Sequence, residues 1–453
     1  MRRRRKEEIR PIEVVLVTII EWLPIIYMSL VNQLNLTARV VIGKSAPPQY
    51  CLLTVDGEWK DMPRASRKAL IEKLQVAREN RLTIAYVTST RPGHEIKMAD
   101  DAFRVIYDHL EAGREIAKNG VDLFIYSNGG SGTVPWRIVS LIRQYSKDLA
   151  VLVPSHAFSA ATLVALGADK ILMHKMGCLG PIDPSVTNIF NPAHPLSPGQ
   201  LAPISVEDVT AFFKLVKEDV GITHEDELVL ALTALTDKIH PLAIGNVQRH
   251  HNQSRLMARR LLKLHMKKTE EHDIEQLIDN LKSNLFYHGH PINRKEAKDD
   301  LNLKAEEPTT AVESLMWELY LEYEKDLKLK EPFNVLREME LKSLPAIGNA
   351  AMTTQQIVQQ MQQLAASGIN LGGVSEEQIV KLAVAMLPFV SGGVTASRKI
   401  ELDPILGAYV ESAARADVFK TTLRVERTTA NLAGSVQEAM KQEVLWQGWE
   451  EEK

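Results

Sequence analysis

Ser159 is the residue of this chain best placed for nucleophilic chemistry. It lies where a helix of small residues is predicted to begin, with Ala157, Ala160 and Ala161 beside it. The first turn of a helix has free backbone amides and favours negative charge, and small neighbours leave the hydroxyl within reach of a substrate backbone. A serine at a helix start is usually only an N-cap, so Ser159 by itself predicts either a cap or a nucleophile.

A glycine turn supplies the second chemical feature. The turn SNGGSG, residues 127–132, follows the apolar run from Val121 to Tyr126. Because Gly129 and Gly130 lack side chains, their amides can approach a ligand closely, as an oxyanion hole requires. A glycine turn after a strand is usually only a turn, so the order of the two features decides their meaning.

The elements around these residues alternate between strand and helix. Apolar runs at 121–126, 149–153 and 170–173 have strand length, and segments of helical pattern separate them. Such βαβαβ chains form a parallel sheet with right-handed crossovers, and their sites lie at the carboxyl ends of the strands. The glycine turn and Ser159 are both predicted at that edge. A further run at 82–88 is predicted to extend the same sheet.

Three motifs make a family resemblance specific: SNGGSGTVPWRIVSLIR (127–143), HAFSAATLVALGADKIL (156–172) and MGCLGPIDP (176–184). They resemble the serine dehydrogenase proteinase family of the ClpP/crotonase superfamily, which also includes the Clp protease proteolytic subunit and signal peptide peptidase A. Similar motifs at 238–262 and 288–303 extend the resemblance over about residues 80 to 305. The resemblance implies an α/β fold of stacked βαβ units with a mostly parallel sheet.

The resemblance also implies roles for single residues. In similar proteins the serine is the nucleophile, which here is Ser159, and amides at the glycine turn hold the oxyanion. Carried over to this chain, the oxyanion hole consists of Gly129, Gly130 and Ala160. Peptide or protein substrates, self-association into a homo-oligomer, no cofactor and no metal are the further implications.

A serine hydroxyl needs a neighbouring base, and the sequence leaves this base open. His156 and His174 are nearest in the chain, and both are expected to be structural. Lys217, with Lys214 nearby, would resemble the serine-lysine dyad of signal peptide peptidase A, whose lysine must be desolvated to lose its proton. Both lysines are most simply predicted to face solvent.

His240 is a further candidate base, and it is the first choice among them. In proteins similar to the Clp subunit, a histidine followed by a proline-containing turn leads into a long helix, and that order is present from His240 onward, with the helix predicted over 246–268. Histidine side chains titrate near neutral pH, which suits a general base. Lys238, two residues earlier, could serve with Ser159 in a dyad instead.

The acidic third member of a triad is missing from its expected place. This chain has Tyr287-His288-Gly289-His290 where a carboxylate would orient the histidine. Asp237, Asp183 or a backbone carbonyl could substitute, and the sequence does not choose among them.

Composition bounds the class of protein. The chain has 453 residues, 45% of them hydrophobic, which is enough for a full globular core. A formal charge of −3 gives no basic field, so no nucleic-acid partner is predicted. Cys51 and Cys178 are too few for a disulfide framework, and no Walker, zinc or dinucleotide pattern is recognisable.

The amino-terminal stretch is the one membrane candidate. A basic cluster at 2–6 precedes the apolar run from Val14 to Val31, which Glu21 and Pro24 interrupt. A central carboxylate costs about 2.5–3.5 kcal/mol on the insertion scale, so an amphipathic helix on a membrane surface or subunit interface is favoured over a span. The expected location is the cytoplasm, with membrane association through residues 12–31 as the alternative.

Five segments follow from these patterns. They are an amino-terminal basic and apolar helix (1–36), a ClpP-like serine peptidase domain (37–308), a helical extension (309–345), an Ala/Gln/Gly-rich helical insertion (346–400) and a carboxyl-terminal segment with a β-hairpin (401–453). The function predicted for the whole is an ATP-independent serine peptidase that acts through an acyl-enzyme on Ser159. A crotonase-like acyl-CoA enzyme and a catalytically silent ClpP-like scaffold are the alternatives.

Overall fold

A computed structural model describes residues 62–182, 185–194, 200–267, 269–281, 290–343, 396–432 and 435–452. The chain divides into two units, Met1–Lys60 and Asp61–Lys453, and every described residue belongs to the second. The predicted membrane segment 12–31, Cys51, Asp183 and the bulk of the 346–400 insertion lie outside the described residues.

Twelve α-helices are assigned within the described ranges. They are α1 (Met62–Ala77), α2 (Asp101–Ala112), α3 (Arg114–Ala117), α4 (Val134–Tyr145), α5 (Ala160–Leu166), α6 (Val206–Lys214), α7 (Glu225–Thr236), α8 (Pro241–Lys263), α9 (Glu271–Asp279), α10 (Arg294–Asp299), α11 (Thr310–Asp326) and α12 (Val335–Ser343). A π-helical segment, Leu215–Asp219, continues α6.

The strands assigned in the same ranges number sixteen. They are β1 (Leu82–Thr88), β2 (Thr90–Arg91), β3 (His94–Glu95), β4 (Val121–Tyr126), β5 (Leu149–Val153), β6 (His156–Ala157), β7 (Lys170–Met173), β8 (Cys178–Leu179), β9 (Ser185–Val186), β10 (Ile204–Ser205), β11 (Ile292–Asn293), β12 (Ala305–Glu306), β13 (Ala396–Glu401), β14 (Ile405–Ser412), β15 (Ala416–Leu432) and β16 (Ser435–Glu451).

The centre of the molecule is a nine-stranded sheet. Its order is β12-β7-β5-β4-β1-β14-β15-β13, and β16 pairs with β15 to form the carboxyl-terminal hairpin. The pairings from β12 to β1 are parallel, and β14 begins the antiparallel part by pairing Ile84 with Ser412 and Thr88 with Ala408. The predicted α/β fold, with a mostly parallel sheet and a terminal hairpin, is confirmed.

Helices cover both faces of this sheet, which explains why β1, β4 and β5 are buried along their whole length and are mostly apolar rather than alternating. One face packs against α2, α4, α5, α8 and α9 through a buried cluster that includes Ile84, Val139 and Leu261. The other face packs against α1 and α11, where Leu74, Met316 and Tyr323 are buried. The core therefore runs on both sides of the strands that carry the predicted site.

Two local features differ from the sequence expectations. The long helix α8 begins at Pro241, five residues before the predicted start, because His240 caps it and proline is well suited to a first helical position. Strand β14 lies beside β1 within the central sheet, a pairing that no local pattern indicated. The five predicted segment boundaries stay predictions.

In the described part of the chain, no helix is by itself long and apolar enough to cross a membrane. Helices α7 and α8 meet that criterion only when taken together, and the axis bends by 102° between them.

Candidate active site

The glycine turn and Ser159 meet at the carboxyl edge of the parallel sheet. Strand β4 leads into Ser127, and β5 leads through β6 to Ser159. The Ser127 N–H donates to the carbonyl of His156 at 3.2 Å, and the Phe158 N–H donates to the carbonyl of Ser127 at 2.9 Å. These two bonds join the glycine turn directly to the chain that delivers the serine.

Gly129 touches the serine so closely that only glycine fits. Its φ is +94°, and a Cβ added there would lie 2.9 Å from Cβ of Ser159 and 2.6 Å from the carbonyl oxygen of Phe158. Both the positive φ and the missing space exclude a larger residue. The sequence predicted that glycine lets the amides of this turn approach a ligand, and the structure adds a separate reason for glycine at 129, which is its contact with Ser159.

The amides at the turn do not all face the same way. The Gly129 N–H donates to Oγ of Ser127 at 3.0 Å, so it is already engaged. Met98 donates to the carbonyl of Gly129 and accepts from the N–H of Ser131, both at 2.9 Å, which directs the N–H of Gly130 away from Met98. Within the described ranges, the N–H groups of Gly130 and Ala160 have no acceptor.

The Ala160 amide is next to the serine in the chain, and Gly130 directly follows Gly129, which packs against Ser159. Ala160 follows Ser159 directly, and its nitrogen would lie 2.9 Å from a Cβ added to Gly129. Gly130 packs against the backbone of Met98, so that a Cβ added to Gly130 would lie 2.2 Å from the carbonyl oxygen of Met98. Of the three residues predicted for an oxyanion hole, Gly130 and Ala160 have available amides, while Gly129 supplies the close backbone approach.

Ser159 has a backbone conformation that serines rarely adopt. Its φ is 52° and its ψ is −113°, and its side chain caps no amide of α5. A conformation of this kind costs on the order of 1–3 kcal/mol and persists only where surrounding packing enforces it. The interpretation of Ser159 as a mere N-cap is therefore wrong, because the hydroxyl makes no capping bond and the strain has no capping purpose. A serine held on a sharp strand-to-helix turn is typical of nucleophiles in hydrolases.

Helix α5 is held rigidly behind the serine. All seven of its residues are buried. Thr162 fixes its first turn, because its Oγ1 lies 2.7 Å from the carbonyl oxygen of Ala157 and accepts the N–H of Gly180 at 3.0 Å. The position of Ser159 is thus set from both the sheet and the helix.

The two nearest histidines have structural surroundings. The ring of His156 stacks on Phe158 at 4.5 Å and packs against Tyr126 at 4.3 Å, and burial lowers the pKa of His156 to about 4. His174 stacks on Trp317 at 4.9 Å, and its Nδ1 accepts the N–H of Met176. Both rings are therefore neutral packing elements under ordinary conditions.

His240, the first candidate base, has other contacts. Its Nδ1 accepts the N–H of Leu242 at 3.1 Å, and its exposed ring stacks on Phe190 at 4.9 Å. Ser159 is not among its partners. With Nδ1 accepting, the neutral ring carries its proton on Nε2, so general-base action would require this bond to open.

The candidate lysines are exposed. Lys217 lies in the π-helical segment after α6, Lys214 ends α6, and Lys238 lies between α7 and α8. A lysine can act as a base near neutral pH only when desolvation lowers its pKa so that it loses its proton, and these three side chains are exposed. Asp237, a substitute for the third triad member, is also exposed.

Sequence reasoning missed the support beneath the turn. Oγ1 of Thr88, at the end of β1, donates to Oγ of Ser127 at 2.8 Å, and that oxygen accepts the Gly129 N–H. Both hydroxyls are buried. A serine directly after a strand and before two glycines was the only signal for it. Met98 gave no signal at all, because its contribution comes from its backbone.

A second serine has the partners that Ser159 lacks. Nδ1 of His109 lies 2.9 Å from Oγ of Ser412, and Nε2 of His109 lies 3.0 Å from Oδ2 of Asp417. His109 has no exposed surface, and Ser412 and Asp417 are buried beside it. Because Ser412 pairs with Ile84, near the start of β1, this group lies at the opposite end of the sheet from Ser159.

Metal ligands are not gathered anywhere in the described segments, where no group of three or more His, Cys, Asp or Glu side chains could hold an ion. Cys178, near the site, is a half-buried thiol whose pKa burial raises to about 11, so it is a packing residue rather than a nucleophile.

Comparison with known proteins finds a family match for part of the chain. Residues 100–240 match the family described as ClpP-like SDH-type serine proteinase, which confirms the predicted resemblance. An uncharacterized protein of Methanocaldococcus jannaschii, MJ0137, is 30% identical over 180 residues, which are 40% of this chain and 51% of that protein. Another from the same organism, MJ1495, is 33% identical over 66 residues, covering 15% of this chain and 23% of its own length. The matched part thus spans about half of the longer-matching relative.

Proposed function

We propose that this protein is a serine peptidase with Ser159 as its nucleophile. The match of residues 100–240 to the ClpP-like SDH-type serine proteinase family supports this proposal. The observation that carries the proposal is the backbone of Ser159, at φ 52° and ψ −113°, directly against Gly129. No capping hydrogen bond explains this strain. An acyl-transfer site needs a reachable serine beside free amide donors, and the half-buried Ser159 fits that description.

The reaction follows from these positions. Oγ of Ser159 bonds to the carbonyl carbon of an extended peptide, and its proton passes to the base. The carbonyl oxygen becomes an oxyanion, which accepts hydrogen bonds from the N–H groups of Gly130 and Ala160. Each such donor is worth about 10²–10³ in kcat. The tetrahedral intermediate then expels the amine, which takes the proton from the base, and water hydrolyses the acyl-enzyme by the same steps.

The proposal assigns the role of base to one of three residues. His240 is the first candidate, and Lys238 and Lys217 are the others. All three lie between the start of the π-helical segment and the start of α8. A rearrangement of this one segment would bring any of them toward the serine.

The proposal includes peptide or protein substrates, hydrolysis without ATP, self-association and a cytoplasmic location. Membrane contact through residues 12–31 is the alternative to a location free in the cytoplasm. A crotonase-like acyl-CoA enzyme would need the free amides but no nucleophilic serine, so the strain at Ser159 favours the peptidase.

A catalytically silent scaffold is the second candidate function, and one observation favours it. Among the described residues, none of the three candidate bases contacts Ser159. A serine without a base retains its fold and its amides but is a poor nucleophile.

Covalent labelling separates these functions. A fluorophosphonate probe should label the wild-type chain and the matched control Ser155→Ala, peptide mapping should place the label on Ser159, and Ser159→Ala should remain unlabelled. Casein hydrolysis should follow the same pattern. A wild-type chain that neither takes the probe nor cleaves casein would be a scaffold. Thioester turnover that survives Ser159→Ala would identify an acyl-CoA enzyme.

A further inference from the structure

Helix α7 is apolar, and none of its twelve residues is buried. Leu230 is 68% exposed and Val229 is 58% exposed. A helix of this length is marginal on its own in water, and helices in proteins gain stability by packing an apolar face. Within the described part of the chain that face is open, as is typical of a surface that contacts another molecule.

The outward side of α7 has a particular order of residues. Glu227, Leu230, Ala234 and Lys238 recur at intervals of three or four and so share one face, which we call the Glu227–Lys238 stripe. The α-helix ends at Thr236, and a hydrogen-bonded turn carries the chain on to Lys238, whose N–H donates to the carbonyl of Leu235 at 3.1 Å. All four residues are exposed.

The charges at the two ends of the stripe are opposite and free. Glu227 begins it and Lys238 ends it, and within the described ranges neither has an ion-pair partner. A leucine and a small alanine lie between them. Reversed end to end, the stripe therefore matches itself: acid meets base, and the large apolar side chain meets the small one.

We propose that α7 pairs antiparallel with α7 of a second copy of this chain. An antiparallel copy centred near Leu232 sets Leu230 beside Ala234 of the partner subunit. It also brings Glu227 within side-chain reach of Lys238 of the partner subunit, and the two-fold axis forms that contact twice. Such an isologous contact closes on itself, and the antiparallel dipoles of the two helices add to it.

A membrane surface fits this helix less well. Its first turn carries Glu225, Asp226 and Glu227, and the helix contains no lysine or arginine. Helices that lie on anionic lipid usually carry Lys or Arg on the polar face, and lipid headgroups would repel three carboxylates. A second copy offers the positive charge of its own Lys238 to these carboxylates, whereas anionic lipid offers no positive charge.

The pairing does not depend on peptidase chemistry, but it bears on the choice of base. A lysine held by a carboxylate of the partner keeps its proton. The dimer would therefore remove Lys238 from the candidates and leave His240 and Lys217. Sedimentation measures the pairing directly, so its failure and the failure of the peptidase proposal are separate results.

Sedimentation equilibrium of the full chain tests the pairing. Wild type should sediment with at least twice the mass of one chain. Leu230→Glu should raise the dissociation constant by about 100-fold, because it buries an unpaired charge at the centre of the contact. Val76→Glu is the matched control, a valine 69% exposed on α1, and it should leave association unchanged.

A charge swap tests the orientation. Glu227→Lys and Lys238→Glu should each weaken association by about tenfold, and the double variant should restore it to within about threefold of wild type, because only the swap rebuilds opposite charges across the axis. A monomeric wild type, association unaffected by Leu230→Glu, or a swap without recovery would each overturn the pairing. The pairing would also be overturned if the wild-type chain floated with phosphatidylglycerol vesicles and Leu230→Glu did not, because α7 would then be a lipid-binding helix.

Discussion

The surroundings of Ser159 and Ser412 are opposites. Ser412 is hydrogen-bonded to His109, which in turn contacts Asp417, yet all three side chains are buried and no substrate can reach them. Among the described residues Ser159 has no such partners, yet it is half-buried and strained, and the N–H groups of Gly130 and Ala160 have no acceptor there. The difference indicates that hydrogen-bond partners alone do not make a serine a candidate nucleophile: a substrate must also be able to reach it, and strain and oxyanion donors must lie beside it.

The largest effect should come from removing each serine hydroxyl in turn. Ser159→Ala should lower kcat for peptide hydrolysis by about 10⁴-fold or more, because the acyl-enzyme cannot form. Ser412→Ala should keep kcat within about threefold of wild type and lower the melting temperature instead, because it only leaves a buried histidine nitrogen unpaired. Steady-state kinetics and thermal unfolding of both variants measure this, and equal losses of kcat would abolish the distinction between the two serines.

Removal of the candidate base should give the next largest loss of kcat. His240→Ala should lower kcat by about 10³-fold with KM little changed, because general-base assistance acts in the transition state. The control is Lys214→Ala, which removes an exposed lysine nearby. A histidine base predicts activity that rises around neutral pH, whereas a lysine base predicts activity that keeps rising in alkaline solution. If Lys217→Ala or Lys238→Ala abolishes turnover and His240→Ala does not, the enzyme is a serine-lysine hydrolase.

The free amides predict a smaller loss. Gly130→Ala should lower kcat by about 10²-fold, because its Cβ would meet the carbonyl oxygen of Met98 at 2.2 Å and displace the oxyanion donor. Gly132→Ala is the matched control, since a Cβ there meets nothing within 4 Å. Similar kinetics for the two variants would show that the turn tolerates movement and that Gly130 is not a donor.

Changes to the buried group of His109, Ser412 and Asp417 should alter the free energy of unfolding and its dependence on pH, and should leave the rate of hydrolysis unchanged. Burial disfavours the charge of Asp417, but hydrogen bonds from Arg415 and His109 outweigh burial and lower the pKa of its carboxyl. The ionised carboxylate thus stabilises the fold above the unfolded value near 3.9, and this contribution disappears as the pH falls through the lower folded value. Asp417→Asn should cost about 2 kcal/mol in free energy of unfolding at pH 7. Denaturant titrations should show that cost shrinking below about pH 4.

The smallest effect concerns strain. Glycine adopts the φ of 52° at Ser159 without penalty, so Ser159→Gly should raise the free energy of unfolding by about 1 kcal/mol relative to Ser159→Ala. Denaturant unfolding of the two inactive variants measures the difference. No difference, or greater stability of the alanine variant, would mean that the serine stores no strain.

Much of the Ser159 region could be predicted because its information is local. Apolar runs located β4, β5 and β7 at 121–126, 149–153 and 170–173, as the structure has them, and the glycine turn located the edge where the site lies. The contribution of Met98 could not be predicted, because a backbone hydrogen bond places no demand on the side chain. The contacts of Ser412 could not be predicted for another reason. His109 and Asp417 are distant in sequence, and only the folded sheet brings them together.

The exposed state of α7 was equally hidden. Its sequence resembles that of a buried helix, and only the folded chain shows that nothing described covers it. The contacts of His240 were hidden as well, because the proline after it predicted only a turn ahead of the helix and not which ring nitrogen accepts the Leu242 N–H.

The place of β14 beside β1 has a consequence for how the protein is made. Until Ser412 has been synthesised, β1 has an unpaired edge, although its other neighbour, β4, follows soon after it in the chain. Ribosomes need on the order of half a minute to add the roughly 320 residues that separate β1 from the end of β14. During that interval the nascent sheet exposes backbone donors and acceptors to any other strand, so aggregation during translation is a hazard built into the order of the strands.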